Sequence, residues 1–197
     1  MNNVDNADRI YVFRKGIETL NEVEPRYDRP YKVVKKRGAC KSFTNLFWHI
    51  FSGFTFYKYS IIDVESGDEI AYTHVSTGLP HFDFIHRLGG GYHIGPDFTV
   101  PKYRGKGFHP FILTYAIRDL LNLRPDVYIY MCVSQGNTSS IKGIERVGFH
   151  FCGRMKREEY QYKLIEGTEL LPIKRKPRKI WKGIFHCAYN LNQVLKR

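Results

Sequence analysis

Cysteine is scarce in this sequence and never paired. The four cysteines (Cys40, Cys132, Cys152, Cys187) lie far apart with no C-x-x-C spacing. That argues against a disulfide framework or a zinc knuckle and leaves reduced, mostly buried thiols. His74, His81 and His86 show no metal-ligand spacing with each other or with Cys132, so no metal site is expected. No stretch nears the roughly 20 apolar residues that a membrane-spanning helix needs. The segment Met1 to Arg9 is polar and carries Asp5 and Asp8, unlike a secretory signal, so a cytoplasmic location is expected. Internal repeats and low-complexity blocks are missing too. Acidic side chains are few: 19 Asp and Glu stand against 31 Lys and Arg, for a net charge of +12 and a pI near 9.5. This excess implies an anionic partner and leaves nucleic acid, an acidic membrane surface, and a phosphorylated cofactor or substrate all open.

What is present suffices for one ordinary core. The chain has 197 residues, 43% of them hydrophobic and 25% charged. Residues 1–170 are expected to form a single domain. Residues 171–197 form a basic extension, with the run Lys174-Arg175-Lys176-Pro177-Arg178-Lys179 ahead of an amphipathic helix (Ile180, Ile184, Phe185, Ala188, Leu191, Leu195). Residues 174–182 could dock on nucleic acid or an acidic membrane, a role less favoured than a solvated connection. The last helix could pack within the chain or against a second copy.

Periodicity places the other elements. Ile10 to Ile17 suits a first strand or the end of a frayed terminus, Tyr31 to Lys36 suits a strand, and Ser42 caps a helix whose aromatic stripe ends at Gly53. Phe54 to Val64 and Glu69 to Thr77 flank a Glu65-Ser66-Gly67-Asp68 turn, a hairpin signal. Gly78 to Gly91 is a long Gly-, Pro- and His-bearing loop. Tyr92 to Val100 is a strand whose Gly95 and Pro96 suggest a bulge. A helix over Phe108 to Leu123 leads to an apolar strand, Val127 to Ser134, giving a parallel right-handed crossover. Asn137 then caps a second helix ending near Gly148. Phe149 to Met155 and Glu159 to Ile165 alternate as two last strands.

The most informative stretch is Phe98 to Pro110, in which a β-rich run enters a basic loop with two glycines and then a helix. Glycines let backbone approach an anion, and the free amides and dipole of a helix N-terminus favour its charge. Arg104 and Lys106 add positive charge there.

Val100-Pro-Lys-Tyr-Arg104-Gly105-Lys106-Gly107, followed by helix, strand, Asn137-x-x-Ser140 and Gly148-Phe149, resembles the GNAT superfamily of acyl-CoA-dependent N-acyltransferases. The resemblance covers Tyr92 to Met155. It implies an α/β (α+β) fold: a mixed, mostly antiparallel central sheet with a parallel, splayed strand pair, flanked by helices. It also implies acetyl-CoA as co-substrate and direct acetyl transfer to a primary amine. By the resemblance, backbone amides from Gly105 through Lys106, Gly107 and Phe108 to His109 hold the pyrophosphate, with Arg104 alongside. Phe98, Thr99 and Val100 pair with the pantetheine arm, and Asn137 and Ser140 lie near the cofactor. The acceptor is expected to be a small amine, with a nucleotide-linked amino sugar one candidate. The other reading is a non-catalytic acyl-CoA-binding, nucleic-acid-docking or membrane-docking protein on the same fold.

Two positions depart from the family pattern. His109 stands where many relatives have Gly or Ala, and Pro110 after it lacks an N–H. Ile144 stands where relatives often carry a tyrosine that protonates the departing thiolate, which leaves Tyr128, Tyr130 or water for that task. For removing the amine's proton, His93 and Asp97 are the candidates. They share a strand and, in the absence of a bulge, a face. Imidazole has the better-matched proton affinity, with an unperturbed pKa of about 6.5.

Overall fold

In the computed structural model, which describes residues 7–13, 20–37, 56–77, 91–158 and 161–167, the Glu65–Asp68 turn closes as its residue types dictate. The Asp63 carboxylate accepts from the amides of Glu65 and Ser66, both at 2.9 Å. Gly67 takes a φ of +75°, open to it because it lacks a Cβ. The turn joins β3 (Phe56–Asp63) to β4 (Glu69–Thr77). The other strands are β1 (Ala7–Phe13), β2 (Tyr31–Arg37), β5 (Gly91–Thr99), β6 (Tyr128–Ser134), β7 (His150–Glu158) and β8 (Gln161–Gly167). Among the described residues the helices are α1 (Phe108–Leu123) and α2 (Thr138–Val147). The expected helix from Ser42 to Gly53, most of the Gly78 to Gly91 loop and the whole 171–197 extension lie outside the described residues.

The eight strands form one sheet in the order β2-β3-β4-β5-β6-β1-β7-β8. All neighbours are antiparallel except β5 and β6. This is the mixed, mostly antiparallel sheet with one parallel pair that the sequence suggested. β1 belongs inside the sheet, between β6 and β7. Its partners lie more than a hundred residues away, and local alternation carries no information about them. Because β1 runs against both neighbours, β6 and β7 are parallel to each other, with α2 as their connection.

Both helices lie on one face. Ile112, Leu113, Ala116, Ile117 and Leu120 of α1 are essentially fully buried against Ile61, Ala71, Val75, Ile94, Ile129 and Met131 of the sheet. Their spacing along α1 is the apolar stripe of a core-facing helix. Tyr11 of β1 reaches α2, its hydroxyl donating to Glu145 Oε1 at 2.9 Å.

The β5 register matters most for the site. Val75 pairs with Ile94 and Thr73 with Asp97. β4 advances two residues while β5 advances three, which is a bulge at Gly95–Pro96. On the other edge, β5 pairs with β6 only from Gly91↔Tyr128 to Ile94↔Met131. Beyond that point the two parallel strands part, and among the described residues β5 has no strand partner on its β6 side.

The parallel pairing begins at a close backbone approach. A Cβ on Gly91 would lie 2.5 Å from the Tyr128 carbonyl oxygen and 2.8 Å from the Tyr130 ring. Gly91→Ala is therefore expected to destabilise the fold by about 1–3 kcal/mol, the usual cost of overpacking, measured by chemical denaturation.

Candidate functional site: a cleft at the N-terminus of α1

The chain leaves β5 through Val100, whose amide donates to Ile70 O at 3.0 Å. One 3-10 turn, Pro101–Tyr103, follows, then Gly105 (φ +76°) and Gly107 (φ +89°) on either side of Lys106. Gly107 is the N-cap of α1, and among the described residues no side chain caps the helix. The first helical bond runs from the Phe111 amide to Gly107 O at 3.2 Å. The amides of Phe108 and His109 therefore have no intrahelical acceptor, and Pro110 has none to offer. A Cβ on Gly105 would meet nothing within 4 Å, so that side of the loop is open.

The loop's other side is backed by residues 20–31. The Arg26 amide donates to Lys106 O at 2.8 Å, and Glu24 O and Pro25 Cα lie 3.5 Å from where a Gly107 Cβ would be. Tyr27 sits beneath, edge-on to Phe108 (5.2 Å between centroids) and Tyr103 (5.8 Å). Its hydroxyl donates to the Asp63 carboxylate. That bond and the Ser66 amide hold the Asp63 carboxyl below its usual range, and the same carboxylate pushes the Tyr27 phenol up. The turn between β3 and β4 thus anchors the glycine loop through one tyrosine.

Between the loop, the free end of β5 and α2 lies a cleft of about 520 Å³. From β5 it takes Asp97, Phe98 and Thr99. The loop and first turn supply Tyr103, Arg104, Gly105, Gly107, Phe108, His109 and Pro110, and α2 supplies Asn137, Ser139, Ser140, Lys142, Gly143 and Arg146. Arg104 is tied down: its Nε donates to Thr99 O at 3.0 Å, and its guanidinium lies 5.6 Å from the Phe98 ring centroid. The Asn137 side chain accepts from the Ser140 amide at 3.2 Å, so it caps α2 as well as lining the cleft.

Most residues singled out from the sequence converge here, with exceptions. Lys106 does not line the cleft, because its ammonium lies 5.2 Å over the Tyr27 ring. Val100 is turned into the sheet-to-loop junction and is not part of the lining either. His93 and Asp97 do not share a face. The bulge restores Asp97 to the helix side opposite Thr73, while His93 pairs with Tyr130 on the other side. His93 and Tyr130 are 6% and 1% exposed and lie just before the point where the strands part. Ile144, at the position of the family's tyrosine, belongs to the core. Lys142, Gly143 and Arg146 went unnoticed in the sequence. Their signal was the i, i+4 spacing of two cations on the helix that Asn137 caps. Cys152 is fully buried, and burial pushes its thiol up to about 12, so it stays protonated and unreactive.

A depressed carboxyl stabilises the fold above its unfolded pKa, and that contribution disappears as pH falls through the folded value. Tyr27→Phe removes the largest cause of the Asp63 depression. The variant is expected to have a lower Tm than the parent at pH 7, with the gap closing below about pH 4, the ordinary carboxylate range, as followed by thermal unfolding across pH.

No protein-family model matches the chain, and no curated protein matches it. Solved structures do. A tandem GNAT protein from the clavulanic acid biosynthesis pathway superposes with a TM-score of 0.54 at 13% identity, over 83% of this chain and 54% of that one. A Drosophila protein superposes with a TM-score of 0.52 at 12% identity, over 84% of this chain and 52% of that one. The chain spans about half the length of each. The parallel pair that parts beyond Ile94, the helix entered through two glycines and these superpositions agree that this chain has the GNAT fold.

Proposed function

We propose that the protein is an N-acetyltransferase that takes acetyl-CoA as donor and a primary amine as acceptor. The observation that carries this reading is the N-terminus of α1, behind Gly105 and Gly107, opening on a cleft whose far wall includes Asp97, Phe98 and Thr99 of β5, beyond its last pairing with β6. The residues present fit the donor. First-turn amides without intrahelical acceptors and the helix dipole suit a diphosphate. Arg104, Lys142 and Arg146 add fixed positive charge. The β5 backbone beyond Ile94, unpaired on its β6 side, can take the amide-bearing pantetheine arm as an added strand, as sheet edges take peptides.

Acetyl-CoA supplies an activated thioester carbonyl, which the amine nitrogen attacks as the carbon–sulfur bond breaks. The amine must first lose its ammonium proton. His93, beside Tyr130 at the apex of the splay and on the face away from the helices, is the residue assigned to accept it. Asp97, on the helix face and engaged by His109, is not. The acceptor is a small amine, and a nucleotide-linked amino sugar suits the basic surface. A non-catalytic acyl-CoA-binding protein is the second reading, favoured by the burial of Ile144 where a proton-donating tyrosine would stand. Thiol release from acetyl-CoA over a panel of amines separates the two. The basic run at 174–179 lies outside the described residues, and its docking role is tested by the salt dependence of nucleic-acid binding.

CoA at a hundred times its Kd is expected to stabilise the protein by about 2.7 kcal/mol, read as a rise in Tm. Gly105→Ala meets no protein atom and carries only the cost of its left-handed backbone, about 1–2 kcal/mol. Its methyl would stand where the phosphate approaches, so the variant should fold and lose most of the CoA-induced shift. A parent with no shift at millimolar CoA would falsify the donor assignment.

A further inference from the structure

His109 departs from what a phosphate-binding loop ordinarily carries, and the structure shows what accommodates it. Its ring fills a notch in α2: a Cβ on Gly143 would lie 2.5 Å from Nδ1 and 3.1 Å from Cε1. Its Nε2 contacts the Asp97 carboxylate, and each side chain is 19% exposed. The bulge at Gly95–Pro96 makes this contact by turning Asp97 to the helix face. A carboxylate therefore stands on the wall of the cleft proposed to receive a diphosphate.

That arrangement is electrostatically awkward unless the carboxylate is neutralised. Among the described residues, the other charged and titratable groups lining the cleft are Tyr103 from the 3-10 turn, Arg104 from the loop, and Lys142 and Arg146 from α2. Arg104, Lys142 and Arg146 have no further proton to gain as cations, and a phenol has no positive form. Of the lining groups, only the His109 imidazole can gain a charge there by taking up one proton. Outside the lining, His74 of β4 acts on Asp97 through space. His93 Cε1 and Asp97 Oδ1 lie 3.5 and 3.8 Å from one point, where a Gly95 Cβ would be. The His109→Gln variant is therefore what separates the His109 proton from theirs. Protonated, His109 neutralises Asp97 and adds its charge beside the helix N-terminus. Neutral, it leaves Asp97 facing the incoming phosphates. Linkage is reciprocal: if the imidazolium favours the anion, the anion favours the imidazolium by the same factor.

We propose that Asp97 and His109 make ligand binding in this cleft proton-linked, so that a CoA-type diphosphate is taken up together with one proton on His109. This rests on the donor reading above. His109 acts as a specificity-determining residue, through a carboxylate that would otherwise repel the ligand.

The test is calorimetric titration of the full chain with CoA between pH 6 and 9, in pairs of buffers of different ionisation enthalpy. The parent is expected to take up a fraction of a proton near neutral pH and to bind more weakly as pH rises, by at most about tenfold per pH unit for a single proton. His109→Gln should bind at pH 6 as weakly as the parent does at pH 9, with only the residual pH dependence of the nucleotide's own phosphate. Asp97→Asn, which removes the repulsion, should tighten binding at high pH and flatten the profile. A packing role alone would weaken binding in both variants equally at every pH. Equal proton uptake by the parent and His109→Gln, or weaker high-pH binding by Asp97→Asn, would overturn the proposal while leaving the donor reading standing. No CoA binding by the parent at any pH would overturn both.

Discussion

One extra residue in β5 determines much of what this molecule can do. Sheet side chains alternate with a period of two, so a single insertion reverses every face beyond it. Up to Ile94 the even-numbered residues of β5 face the helices. After the bulge at Gly95–Pro96 the odd-numbered ones do. The same region ends the pairing with β6. The sheet thus acquires a gap, a bare strand edge beside it, and a carboxylate redirected beneath the N-terminus of α1.

The second constraint is support for a loop that cannot support itself. Gly105 and Gly107 adopt left-handed backbone, and the helix they introduce has no side-chain cap. Rigidity comes from behind, through the Arg26 amide on Lys106 O and the Tyr27, Tyr103 and Phe108 rings. Tyr27 in turn is fixed by Asp63, which also closes the β3–β4 turn. An anion site made of main-chain amides, as proposed for this loop, would need no side chain aimed at the ligand. It does need the amides held still, since preorganisation limits the ordering cost of binding.

Charge in the cleft is divided by function. Arg104 is committed to the end of β5, and Lys106 lies over aromatic rings away from the opening. The cations on the far wall, Lys142 and Arg146, come from α2. Among the described residues the cleft is therefore positive from two sides, with Asp97 its one acidic lining residue.

Much of this was legible in the residues. The hairpin turn, the caps at Asn137 and Gly148, the stripe of α1 and the strand–glycine–helix passage are all local. Each depends on propensities and periodicities within about ten residues, and chain composition alone supplies them. Gly95-Pro96 even advertised the bulge. What no local pattern could convey is the pairing. β1 lies between two strands at the other end of the chain, Tyr27 meets Asp63, Asp97 meets His109, and Gly143 is small because an imidazole from another helix occupies the space beside it. Those contacts join segments distant in sequence, so they exist only once the chain has folded. The residues alone determined that a strand, a two-glycine loop and a helix would follow one another. The tertiary structure decided which charges surround that loop, because faces and neighbours are set by register.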